Sequence, residues 1–147
     1  MKRNEFLKTC GWGCLSLIAG ASSLTSCAGT KYLPAALEGG FMLVPLDAFL
    51  VNAEDNLGNY RPYLVAHNES LQYPIAVFRN SETDFRALWM RCTHQGTELQ
   101  VFGDRFQCPA HGSEFTNTGA VQNGPADSPL RSFPVQIEAN SIKIDLR

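Results

Sequence analysis

Two five-residue stretches constrain this chain more than any other feature: CTHQG at 92–96 and CPAHG at 108–112. Each carries one Cys, one His and a closing Gly. Thirteen residues lie between His94 and Cys108, and their middle, ELQVFGDRFQ, reads as strand, Gly turn, strand. A hairpin there sets the two stretches side by side at one end of a sheet. Cys92, Cys108, His94 and His111 then converge. Soft thiolate and borderline imidazole ligands suit zinc or an iron–sulfur cluster. The glycines leave backbone N–H groups free to approach inorganic sulfide. A Cys92–Cys108 disulfide with bystander histidines is the bland alternative.

The rest of the chain reads as an all-β domain of short antiparallel strands. Apolar runs bounded by turn residues occur at 41–46, 63–66, 75–79, 85–91, 101–108, 133–138 and 141–146. The run SIKIDL alternates, placing Ile142, Ile144 and Leu146 on one face. No window after residue 40 has the period of a long amphipathic helix. EDNLGN, HNES and FGD read as turns. Apolar content of 44% is enough for a packed core, and a net charge of −2 gives no basic surface for nucleic acid. Trp89 and Met90 read as core. His67, the third and last histidine, reads as a turn residue.

The N-terminus reads as an export signal. Lys2, Arg3 and Lys8 precede a short apolar run at 11–24, below the roughly 20 residues a spanning helix needs. The run ends in LTSC, which resembles the lipobox of bacterial lipoproteins, a resemblance that implies acylation of Cys27. RNEFLK loosely resembles a twin-arginine export signal, with Asn4 in place of the second Arg. The expected organisation is a lipoprotein-type signal peptide over 1–26, a lipidated N-terminus and tether over 27–40, and the β domain over 41–147. Cys10 and Cys14 leave with the signal, so Cys92 and Cys108 are the two thiols of the folded part.

CTHQGTEL with CPAHGSEF is similar to the signature of the Rieske [2Fe–2S] family, C-x-H joined by a spacer to C-x-x-H. PIAVFRN and FRALWMR upstream resemble the strands leading to the first cluster loop. The segment from Gly124 to Leu146 resembles the family's proline loop and final strands. The resemblance implies a Rieske-type fold with a small cluster-binding subdomain and one [2Fe–2S] cluster per chain. Cys92 and Cys108 would hold one iron, and His94 and His111 the other. It also implies that the Ser113 hydroxyl donates to a bridging sulfide. The family's Tyr donates to a Cys sulfur from the position that Phe115 occupies here. Ser113 and Phe115 are therefore the expected cluster-tuning residues.

Two Fe³⁺, two sulfides and two thiolates sum to zero charge with neutral imidazoles. Such a cluster accepts an electron more readily than an all-Cys one, and Rieske potentials lie at roughly −150 to +300 mV. With His94 and His111 committed, His67 alone cannot build the 2-His-1-carboxylate iron site of Rieske oxygenases. The implied task is one-electron transfer, as a membrane-anchored carrier or the small subunit of an oxidoreductase. Redox proteins are the expected partners, and the bacterial cell envelope is the expected location. A quinol-oxidising cytochrome bc-type subunit is the alternative. Against it, Thr97 and Ala110 stand where those members carry a bracing disulfide, Gln95 where they carry Leu, and Phe115 where they carry Tyr. A zinc-binding lipoprotein is a further alternative.

Overall fold

The computed structural model describes residues 29–51 and 58–147. The export signal, Cys27 and most of the EDNLGN turn lie outside the described residues. Among the described residues, thirteen strands appear in chain order. They are β1 (Tyr32–Pro34), β2 (Ala36–Glu38), β3 (Phe41–Pro45), β4 (Tyr63–His67), β5 (Ile75–Arg79), β6 (Phe85–Trp89) and β7 (Gln100–Phe102). They continue with β8 (Arg105–Gln107), β9 (Glu114–Thr116), β10 (Val121–Asn123), β11 (Ser132–Phe133), β12 (Val135–Glu138) and β13 (Ser141–Asp145). The one helical element among the described residues is a 3₁₀ turn, Leu46–Phe49. No helix among them is long and apolar enough to cross a membrane.

Three sheets result. A five-stranded sheet runs β1-β4-β5-β6-β11, one four-stranded sheet runs β12-β13-β3-β2, and a second runs β10-β9-β8-β7. The five-stranded sheet lies in the middle, and its two faces feed two cores. Leu64, Ala66, Ile75, Val77, Phe85 and Ala87 pack against Met42, Val44, Ile142 and Ile144 of the β12-containing sheet. Val65, Ala76, Phe78, Leu88 and Met90 pack against Leu99, Val101, Phe106 and Phe115. Burial on both faces explains why IAVFR is continuously apolar rather than alternating. The clean alternation of β13 has the opposite cause: Ile142 and Ile144 are fully buried while their neighbours are half-exposed.

Pairing is antiparallel everywhere except between β1 and β4, which run parallel with Tyr32 opposite Val65 and Pro34 opposite His67. This pairing departs from the sequence expectation, as does the order of residues 32–38. The segment expected as tether forms β1 on the central sheet and β2 on the neighbouring one, so it joins two sheets. Only a buried Ala35 separates the strands, and no alternating run was long enough to reveal them. The run FPVQIE likewise divides at Pro134, β11 joining β6 and β12 joining β13. His67 closes β4 and is exposed rather than lying within a turn. Met90 is buried, but Trp89 is half-exposed, edge-on to Tyr73 with 5.5 Å between ring centroids.

Candidate metal centre

The site grows from the two ends of one hairpin. β7 and β8 pair Gln100 with Gln107 and Phe102 with Arg105 across a two-residue turn, Gly103-Asp104. Gly103 supplies the left-handed conformation, φ 59°, that this turn requires. Leu99 N–H donates to the Met90 carbonyl at 2.9 Å, so the end of β6 and the start of the hairpin are tied together. Both Cys–His stretches emerge at that end.

The two loops repeat one geometry. Cys92 N–H donates to Thr97 O (2.8 Å) and Gly96 N–H to Cys92 O (2.9 Å). Cys108 N–H donates to Ser113 O (2.8 Å) and Gly112 N–H to Cys108 O (3.0 Å). In each loop the Cys reaches the residue five positions on, and the Gly four positions on closes back to it. Gly96 and Gly112 both have φ of 76°, a conformation that side chains with a Cβ rarely adopt. The one difference is the His, two residues after the first Cys and three after the second.

The structure brings the four predicted ligands together as two pairs, Cys92 with Cys108 and His94 with His111. Cys92 and Cys108 are free thiols, 1% and 2% exposed, so the disulfide alternative is not what this structure holds. The rings of His94 and His111 stand 5.0 Å apart, nearly perpendicular. His111 is exposed and His94 half-buried. The Nδ1 atom of His94 is buried with no hydrogen-bond partner, an uncompensated cost unless something else binds it. Burial pushes the Cys108 thiol up, yet backbone N–H groups of His111 and Ala110, with the Cys92 and Thr97 side chains, bring it below its ordinary value.

The donor set also fits a group with two metal atoms. Two thiols and two imidazoles are the soft and borderline donors that an iron–sulfur cluster takes. Cys92 with Cys108 and His94 with His111 would be the residues to hold such a group.

A third loop, residues 124–131, is the covering loop: its Ala126 and Leu130 share a core cluster with Cys92 and Cys108, and sequence reasoning missed how it is held. Thr93 Oγ1 donates to the Ser128 carbonyl at 2.7 Å. From the other loop, Ser113 Oγ accepts the Ala126 N–H at 3.0 Å. Ser113 is fully buried, and its hydroxyl proton is left free to point elsewhere. Phe115 is also fully buried, paired with Phe106 and Val121 on the neighbouring strands. Tyr73, in the loop between β4 and β5, donates its hydroxyl to the Gly96 carbonyl and braces the first loop. None of these contacts had a signal in the sequence, since each joins residues well apart in the chain.

A family model described as the Rieske [2Fe-2S] domain matches residues 49–134. The cytochrome b6-f complex iron-sulfur subunit 3 of Nostoc sp. is 30% identical, the match covering 88% of this chain and 81% of that protein. The biphenyl dioxygenase ferredoxin subunit of a Pseudomonas species is 32% identical over 48% of this chain and 69% of its own. The chain spans about half the length of other relatives that it matches, 55% of iron-sulfur subunit 2 from Trichormus variabilis and 41% of that from Nostoc. Among solved structures, a chain of a hyperthermophilic respiratory Complex III superposes with a TM-score of 0.52 at 22% identity, over 95% of each chain, a likeness of fold.

Proposed function

The chain belongs to the Rieske [2Fe–2S] domain family, and from that premise we propose that it is a one-electron carrier anchored to the bacterial envelope through Cys27. In this reading Cys92 and Cys108 hold one iron, and His94 and His111 the other. When bound, the cluster supplies a centre that takes up and gives back a single electron. The protein's own residues divide the work. The buried thiols fix the group inside the fold, while the exposed His111 and half-buried His94 present imidazole edges at the surface. The Thr93 and Ser113 hydroxyls hold the covering loop over it.

The single observation that carries this reading is the convergence of four donors, with both thiols buried and the histidine pair at the surface. In this reading a redox centre held by four protein ligands exchanges electrons with a partner. The test is to purify the full chain with its cluster and titrate it. It should take up one electron per chain and show no turnover of oxygen or quinol alone. Sustained turnover without a partner protein would sink the carrier reading.

The similarity to cytochrome b6-f iron-sulfur subunits favours a second reading, a subunit of a quinol-oxidising complex. That reading requires co-purification with a membrane cytochrome b. Both readings keep the lipid anchor and the envelope location as proposals. Cys27→Ser should abolish acylation and processing at that position, read by mass spectrometry of the mature N-terminus; an acylated N-terminus at the same position would refute the anchor.

A further inference from the structure

The segment after Cys27 is fixed to the fold almost at once. Val65 N–H donates to Lys31 O at 2.9 Å, and Lys31 Nζ donates to the Ala48 carbonyl at 2.8 Å. Thr30 Oγ1 and the Tyr63 hydroxyl are 3.0 Å apart. β1 then runs parallel to β4, so chain direction sets which end of the central sheet each residue occupies. Thr30 enters at the end marked by Tyr63 and its partner Phe78. The opposite end is marked by Pro34, His67, Ile75 and Trp89. From that opposite end β6 leads into Cys92 and His94. The attachment point and the histidine pair therefore lie at opposite ends of the sheet, separated by about 10 Å of strand and by the loops beyond it.

From this placement we infer that the anchored protein holds its histidine tip away from the lipid surface and exchanges electrons there with a water-soluble redox protein. The inference rests on the Cys27 anchor proposed above. Three residue steps join Cys27 to Thr30, a leash of about 10 Å at full extension. Turning the tip toward the bilayer requires the leash to run the length of the sheet and the loops past it. The expected tether that would have allowed this is consumed by β1 and β2. The leash lets the domain tilt but not invert. The anchored end also carries an amphipathic pair suited to headgroups: Tyr60 is 40% exposed, and the Arg79 guanidinium lies 3.8 Å from its ring centre. In the exchange one electron leaves the reduced protein and one is gained by the partner's redox centre, with no bond made or broken.

The experiment uses the full lipidated chain on vesicles of phosphatidylethanolamine and phosphatidylglycerol. The relaxation of the reduced protein's EPR signal is measured with a nickel chelate in the water and, separately, with the same chelate on lipid headgroups. The soluble chelate should enhance relaxation several-fold more than the headgroup chelate. A variant with about 20 Gly/Ser residues inserted between Ala28 and Gly29, a leash of roughly 25 Å root-mean-square, should erase the difference. A second readout is oxidation by a soluble c-type cytochrome, which should proceed at the same rate on vesicles and in detergent. Equal effects of the two chelates on the uninserted protein, or cytochrome oxidation slowed several-fold on vesicles, would overturn the orientation. Failure to float with vesicles would overturn the anchor itself, and the orientation with it.

Discussion

The Thr93 hydroxyl donates to the backbone carbonyl of Ser128, 35 residues further along the chain and 2.7 Å away. This bond ties the first Cys–His loop to the covering loop, and the Ser113–Ala126 bond ties the second. The covering loop thus clamps both halves of the site.

Removing the clamp should loosen the site before it unfolds the domain. Thr93→Val should cost about 1 kcal/mol, the ordinary net worth of such a bond. It should also speed cluster loss to an iron chelator several-fold, followed as bleaching of visible absorbance. Thr93→Ser should restore most of the difference, since it keeps the donor. Equal bleaching rates for Thr93→Val and the parent would show that the bond does not brace the site.

Ser113 is the residue proposed to tune the cluster. Its oxygen accepts from Ala126, which leaves its proton free for a second acceptor. Ser113→Ala should lower the reduction potential by tens of millivolts, because hydrogen bonds to cluster sulfur favour the more negative, reduced state. It should also cost about 1–3 kcal/mol by leaving the Ala126 N–H unpaired. Phe115→Tyr should raise the potential by a similar amount by adding a donor. Voltammetry with a parallel thermal melt checks both; a potential unmoved in well-folded Phe115→Tyr would mean that its hydroxyl finds no cluster sulfur.

The matched glycines predict matched costs. At φ of 76° a Cβ brings about 1–2 kcal/mol of backbone strain. At Gly112 the added atom meets open space, whereas at Gly96 it comes 3.2 Å from the Arg91 guanidinium, which can swing aside. Gly112→Ala and Gly96→Ala should therefore lower Tm by similar amounts, and the Asn substitutions should lower it less. A Gly112→Ala protein as stable as the parent would refute the strain argument.

Acid should weaken one tie of the last strand. Arg147, hydrogen-bonded to the Asp145 carboxylate, holds its pKa down to about 2 from 3.8. A depressed pKa adds stability above the unfolded value and loses it as pH falls through the folded one. The contribution should therefore fade between about pH 4 and pH 2. Because the pair is exposed the effect is small and screened by salt. Asp145→Asn should flatten that part of the stability profile in low-salt denaturation; an unchanged slope would show the pair to be silent.

Most of the sheet architecture was legible because burial wrote it into the sequence. β5 is buried on both faces and reads as an unbroken apolar run; β13 is buried on one and alternates. β9 and β10 escaped notice because three polar-rich residues such as Glu114–Thr116 carry no period. β1 was hidden by Pro34 and Ala35, although backbone bonds to a sheet edge need no apolar signature. The four proposed ligands stood out because their spacing is local, one Cys and one His per loop. The clamps were not, since Thr93 and Ser128 meet only through the fold.

The central claim is that Cys92, His94, Cys108 and His111 hold one two-iron cluster. Its most direct test is elemental and spectroscopic analysis of natively expressed protein, beside Cys92→Ser and Cys108→Ser. The account predicts two irons and two acid-labile sulfides per chain, as the [2Fe–2S] formula requires, with an EPR signal appearing on reduction. Both variants should lose the iron. One zinc per chain with no iron, or a cluster that persists in Cys108→Ser, would contradict it.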